Sequence, residues 1–131
     1  MIGIDTNVLV RYLTQDDAAQ ARKVDAFVAR TAEKGTRLHV DDLVLCEVVW
    51  VLRAAYRLGK STIAEALERV IGTAIFSFED RELLRSALAD YRSGPGDFSD
   101  YVIGRRNARA GCEQTVTFDR PLEGQRSFVL L

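Results

Sequence analysis

Short strand-like runs alternating with helix-period segments are the feature that most restricts what this chain can fold into. The runs are Ile2-Gly3-Ile4, Arg37-Leu38-His39-Val40, Ile75-Phe76-Ser77-Phe78, Gln114-Thr115-Val116-Thr117-Phe118 and Ser127-Phe128-Val129-Leu130-Leu131. Strands that alternate with helices pair in parallel, with right-handed helical crossovers laid over the sheet. The expected class is therefore α/β, a parallel sheet with helices on both faces. Open sheets of this kind place ligand crevices at the carboxyl ends of their strands. Two runs deliver an acid to that end, Asp5 and Asp119. If the first and fourth strands are neighbours, these two acids face each other across a switch point.

The segments between the runs carry helical signals. Behind Asp5, the residues Val8, Leu9, Tyr12 and Leu13 recur at helical spacing, with Thr6 or Asn7 able to cap the first turn. Asp16-Asp17 opens a second helix with Ala21, Val24, Phe27 and Val28 on one face, ended by Gly35. A third runs from a cap at Asp41 or Asp42 to about Arg57. It carries Glu47 among Leu43, Val44, Trp50 and Val51, so the carboxylate is expected in an apolar stripe, where it needs a cation, donors or a proton. Leu58-Gly59-Lys60-Ser61-Thr62 resembles the end of a phosphate loop, but Ala54 stands where that motif needs Gly. It reads as a helix end and a new start, with Thr62 and Glu65 as a capping box before Ile63, Leu67, Val70 and Ile71. Asp80 caps a helix with Leu84, Ala87, Leu88 and Tyr91, and the loop Ser93-Gly94-Pro95-Gly96 separates it from one that starts at Asp97 and ends near Gly111.

Composition narrows the function. A chain of 131 residues with 47% apolar and 28% charged residues is the size and character of one folded domain, 1–131, not a disordered segment. No apolar run approaches the roughly 20 residues that span a bilayer, and acidic and polar residues within the first seven positions do not suit a signal peptide. Cys46 and Cys112 are too few and too scattered for a disulfide scaffold or zinc site, which favours a reducing cytoplasm. His39, the one histidine, cannot build a histidine-based metal site and reads as structural. A net charge of −1 argues against gripping nucleic acid by bulk positive field.

The acids that remain are Asp5 and Asp119 at strand ends, Glu47 in a helix, and Asp97 or Asp100 at a helix start. Carboxylates brought together repel unless a divalent cation neutralises them. All-oxygen ligation with water in the shell suits Mg²⁺ or Mn²⁺, which can activate water against a phosphodiester. In the case of Asp97 and Asp100, capping and first-turn charge give a purely structural alternative.

Four pieces in this order and at these separations resemble the PIN-domain ribonucleases. They are Ile4-Asp5-Thr6-Asn7-Val8-Leu9, Glu47 with Val48-Val49-Trp50-Val51-Leu52, Asp97-Phe98-Ser99-Asp100, and Thr117-Phe118-Asp119. More narrowly, the chain is similar to the toxin half of bacterial VapBC-type toxin–antitoxin modules. The resemblance implies a three-layer α/β/α sandwich on a five-stranded parallel sheet of order 3-2-1-4-5, and a Mg²⁺-dependent endoribonuclease site. It carries the family's acids over to Asp5, Glu47, Asp100 and Asp119, with Asp97 as the alternative third acid. Thr6 and Thr117 match its hydroxyls, and Asn7 stands beside the first acid as a supporting residue. It further implies a VapB-type antitoxin partner and an RNA substrate, and allows a homodimer. Arg105 and Arg109 lie in a basic segment that is either a solvated helix face or a contact for RNA phosphates. The competing reading is a PIN-fold module that binds RNA or a partner without cutting. A dehalogenase-type phosphatase wants Asp where Asn7 stands, and a dinucleotide fold lacks its glycine fingerprint.

Overall fold

In the computed structural model, which describes residues 1–131, the chain forms two compact units, Met1–Glu79 and Asp80–Leu131. The class is α/β, as the alternation of runs requires. No helix is long and apolar enough to cross a membrane.

The first unit contains β1 (Ile2–Gly3), α1 (Thr6–Thr14), α2 (Ala18–Glu33), β2 (Leu38–His39), α3 (Asp42–Ala54), α4 (Lys60–Gly72) and β3 (Phe76–Ser77). Its strands pair in parallel in the order β1-β2-β3, with Ile2 opposite Leu38 and Leu38 opposite Phe76. Leu38 and Phe76 are wholly buried, and the helices add Leu9, Leu45, Leu52, Ile63 and Leu67 to the core. Burying a side chain of this size is worth about 1.5–3 kcal/mol, so these few positions hold the unit.

Local chemistry sets the helix ends, not always as the sequence suggests. Asp5, rather than Thr6 or Asn7, caps α1: its carboxylate accepts the Val8 N–H at 3.1 Å. Asp17 caps α2 and Asp41 caps α3, and Gly35 leaves α2 at a positive φ of 69°. At the start of α4 the expected Thr62–Glu65 box does not form. The helix begins earlier, at Lys60 behind an N-cap Gly59, which leaves Thr62 inside the first turn.

A second correction concerns Glu47. The face of α3 that packs inward is Leu45, Val48, Val49 and Leu52, at helical spacing. Glu47 is therefore exposed, and two of its apolar neighbours share the outer face, Leu43 at 73% and Trp50 at 63% exposure. The apolar residues on α3 outnumber what one inward face can take, so the stripe around Glu47 lies outside the core.

Arg11 gathers the polar groups between α1, α2 and α3. Its guanidinium donates to Gln20, to Asp16 at 3.2 Å and to the Tyr56 hydroxyl at 3.0 Å, while that hydroxyl donates to Asp16 at 2.7 Å. The Tyr56 bond, followed by that from Thr14 and the charge of Arg11, lowers the Asp16 pKa below its ordinary value.

The second unit contains α5 (Arg81–Ser93), α6 (Phe98–Arg109), β4 (Thr115–Thr117), a 3₁₀ turn (Arg120–Leu122) and β5 (Phe128–Leu130). Strands β4 and β5 pair in parallel, Thr115 opposite Phe128. Asp80 caps α5 through the Leu83 N–H at 3.0 Å. The loop between α5 and α6 closes on Tyr101, whose hydroxyl accepts the Gly96 N–H at 2.9 Å. A Cβ on Gly94 would lie 2.1 Å from that hydroxyl, so the loop needs glycine there for close approach. Across the unit, Arg105 on α6 grips Asp90 on α5 with two bonds of 2.7 and 2.9 Å. Phe98, Leu84 and Leu122 are buried beneath.

Two outcomes follow. A depressed carboxylate stabilises the fold above its ordinary pKa of 3.8, and that stabilisation is lost as pH falls through the lower folded value. Tyr56→Phe should therefore melt below the parent at neutral pH, with the gap closing as the solution is acidified; thermal melts against pH measure this. The Cys46 thiol, pushed up to about 11 by burial and then by Asp42 and Asp41, should resist a disulfide reagent at pH 8 in the folded chain. Exposed Cys112 should react at once, and Cys46 only after denaturation.

Candidate functional site

Strand β1 ends and α1 begins within two residues, so Asp5 is held at the junction by both elements. One of its carboxylate oxygens caps α1 through Val8, and the side chain remains exposed. The next residue, Thr6, donates its hydroxyl to the Glu47 carboxylate at 2.6 Å. A hydroxyl-to-carboxylate bond of that length is charge-assisted. It fixes the outer face of α3 to the residue that follows Asp5, although α3 lies some forty positions along the chain. Thr6, half-buried, thus ties exposed Glu47 to the position next to exposed Asp5. Asn7 is exposed at the second helical position beside it.

The second unit holds the other expected residues. Asp97 occupies the N-cap of α6, and Asp100, half-buried, accepts the Asp97 N–H at 2.9 Å. That bond is the back-reaching half of a capping box, so Asp100 serves the helix start as the structural alternative foresaw. At the end of β4, the Thr117 hydroxyl accepts the Asp119 N–H at 3.0 Å. Asp119 stands at the N-cap of the 3₁₀ turn without a side-chain capping bond and is exposed. Thr117 therefore sets the backbone at Asp119 and leaves the carboxylate uncommitted.

The two arginines are engaged with acids of their own unit. Arg105 is half-buried in its two-pronged pair with Asp90, and that bond, ahead of the charge of Asp90, raises its pKa. Arg109 pairs with Asp80, the cap of α5. Their segment is thus not a plain solvated face, and Arg105 in particular has its fork filled. Sequence reading passed over Arg126, which also approaches Asp90, at 3.9 Å. Nothing local marks it; only the return of the chain into β5 brings it beside α5 and α6.

Within neither unit do three or more acidic, cysteine or histidine side chains gather to enclose a metal ion. His39 has its Nδ1 buried without a partner in β2 and belongs to no such group. What the first unit offers is two exposed carboxylates, Asp5 and Glu47, linked through Thr6, which follows the one and donates to the other. Hard divalent ions such as Mg²⁺ are often held by one or two carboxylates and keep several waters, so this donor set suits one.

Comparison with known proteins gives the arrangement its relatives. The chain is 26% identical over 117 residues, 89% of its own length and 86% of the relative's, to the protein named VapC ribonuclease of Aquifex aeolicus (strain VF5). Residues 2–123 match the PIN domain, from β1 with its terminal acid to the turn behind Asp119. With nearly all its length so matched, the chain belongs to the PIN-domain family.

Proposed function

We propose that this chain is a Mg²⁺- or Mn²⁺-dependent endoribonuclease and acts as the toxin of a VapBC-type module. The observation that carries the reading is the Thr6–Glu47 bond at the position next to Asp5, which ties two exposed acids to one hydroxyl-bearing residue in a member of the PIN family. The relative's name, VapC ribonuclease, supports the same activity. Asp5, Glu47, Asp100 and Asp119 are the proposed catalytic acids, with Asp97 the alternative to Asp100. The same reading carries a single domain over 1–131, in which the observed β3-β2-β1 and β4-β5 ladders are the two parts of a 3-2-1-4-5 sheet.

Asp5 and Glu47 would hold the metal, Asp5 through the oxygen that Val8 does not use. When bound, such an ion supplies a water of lowered pKa and charge stabilisation at the phosphodiester. Thr6 orients Glu47 by holding one of its oxygens, and Thr117 orients Asp119 through the backbone. The proposed partner is an antitoxin of the VapB type. Exposed Leu43 and Trp50 on α3 offer its tail an apolar seat beside Glu47, and a basic side chain of the tail would compete with metal for the acids. A homodimer and a cytoplasmic location belong to the same reading.

Metal that binds only the folded chain raises its stability, by about 2.7 kcal/mol at a hundredfold excess over Kd. Asp5→Asn should abolish both the Mg²⁺-dependent rise in Tm and the cleavage of RNA. Persistence of both in the variant would overturn the reading, and metal binding without cleavage by the parent would favour the non-cutting module. Thr6→Val removes an exposed hydrogen bond and should cost no more than about 1 kcal/mol of stability in a denaturant titration. Its rate of RNA cleavage should nevertheless fall, because Glu47 loses its orienting donor.

A further inference from the structure

The second unit contains a cleft of about 280 Å³ between α5, α6 and β5. That lies near the lower end of the roughly 300–1,000 Å³ usual for small-ligand sites, room for one nucleotide rather than a stretch of chain. Its floor is apolar, with Leu83 and Phe128 buried. Three guanidiniums line it, those of Arg105, Arg109 and Arg126, against the single carboxylate of Asp90.

These charges are not equivalent. Arg105 and Asp90 neutralise each other in their two-pronged pair. Arg109 is tied to Asp80 yet 62% exposed, and its place in the last turn of α6 has a structural explanation, since a cation there opposes the helix dipole. Arg126 has no such explanation. It is 62% exposed, its one ionic neighbour is 3.9 Å away and already taken by Arg105, and no hydrogen bond holds its guanidinium. Its backbone adopts φ +40°, a region that residues other than glycine enter at a cost of order 1 kcal/mol and that clusters at ligand sites. Gly104 is the second unfavoured choice in the same place. Glycine weakens a helix interior, but a Cβ there would lie 2.9 Å from the Phe128 ring, so its absence lets Phe128 form the floor.

We propose that this cleft binds a phosphate of single-stranded RNA through Arg126 and Arg109, with the adjoining nucleoside over Leu83 and Phe128. A guanidinium meets phosphate with two parallel donors, which suits the open fork of Arg126. Asp100 and Arg109 are nine residues apart on α6, about 13 Å along the helix axis at 1.5 Å per residue. The cleft thus grips the strand a few nucleotides from Asp100 and sets which phosphodiester reaches that acid. This subsite rests on the ribonuclease reading for its purpose, though not for its chemistry.

The experiment measures binding of a labelled mixed-sequence RNA oligonucleotide of about a dozen residues, without divalent metal, across a salt series. Arg126→Gly is the informative variant, because glycine accepts φ +40° and the fold should lose nothing; a melt checks this. Each phosphate contact removed should flatten the slope of log K against log salt by about 0.7, once in Arg126→Gly and again when Arg109→Gln is added. Arg105→Ala should lower the Tm instead, by leaving Asp90 without its partner. Unchanged affinity and slope in the Arg126→Gly/Arg109→Gln double variant would overturn the subsite, and if the parent still cuts RNA the ribonuclease reading survives. A salt-sensitive loss of binding in a chain that cuts no RNA would uphold the cleft and remove the nuclease. Undiminished RNA binding with lost affinity for a glutamate-rich peptide would assign the cleft to a protein partner, against the proposal.

Discussion

The first backbone N–H groups of a helix have no partner within it, and this chain answers that demand with aspartate again and again. Asp5, Asp17, Asp41, Asp80 and Asp97 stand at the N-caps of five α-helices, and Asp119 at that of the 3₁₀ turn. Only α4 begins at a glycine. In an α/β chain each helix start behind a strand lies at the carboxyl edge of that strand, so the residues that cap are also those that face a ligand crevice.

What separates a cap from a candidate ligand is the use to which its oxygens are put. Asp17 and Asp41 accept N–H groups of Gln20 and Leu43, and Asp80 both caps α5 and holds Arg109. Asp5 caps through one oxygen in an exposed position and is followed by Thr6, which holds Glu47. Asp119 makes no capping bond at all. The hydroxyls near the acids hold other groups in place: Thr6 holds a carboxylate, and Thr117 an N–H. Removing either hydroxyl would leave the acids present and free the group that it holds.

Charge balance on the basic side follows the same logic. The arginines of α6 look alike in sequence, yet one closes a pair with Asp90, one reaches the cap of α5, and the exposed fork comes from a distant loop. A guanidinium with both prongs filled anchors two helices to each other. One without a partner at hydrogen-bond distance, like that of Arg126, leaves its donors open.

The parallel pairing of the strands, the inward faces of α4 and α5, and the caps at Asp17, Asp41, Asp80 and Asp97 were legible in the residues alone, because alternation, period and capping act over a few neighbouring positions. The positions of Asp5 and Asp119 behind β1 and β4 were legible too, because each closes a short strand-like run. Tertiary packing alone decided which side of α3 is buried: with apolar residues nearly all round, its period cannot choose, and the core took Leu45, Val48, Val49 and Leu52 and left Glu47 outside. The start of α4 at Gly59 was likewise settled by where α3 ended, with Arg57 at φ 54°, rather than by the Thr62–Glu65 pattern. The bonds from Thr6 to Glu47 and from Arg105 to Asp90 join positions 41 and 15 residues apart. Such partners are chosen by how the chain returns on itself, and no local pattern records that return.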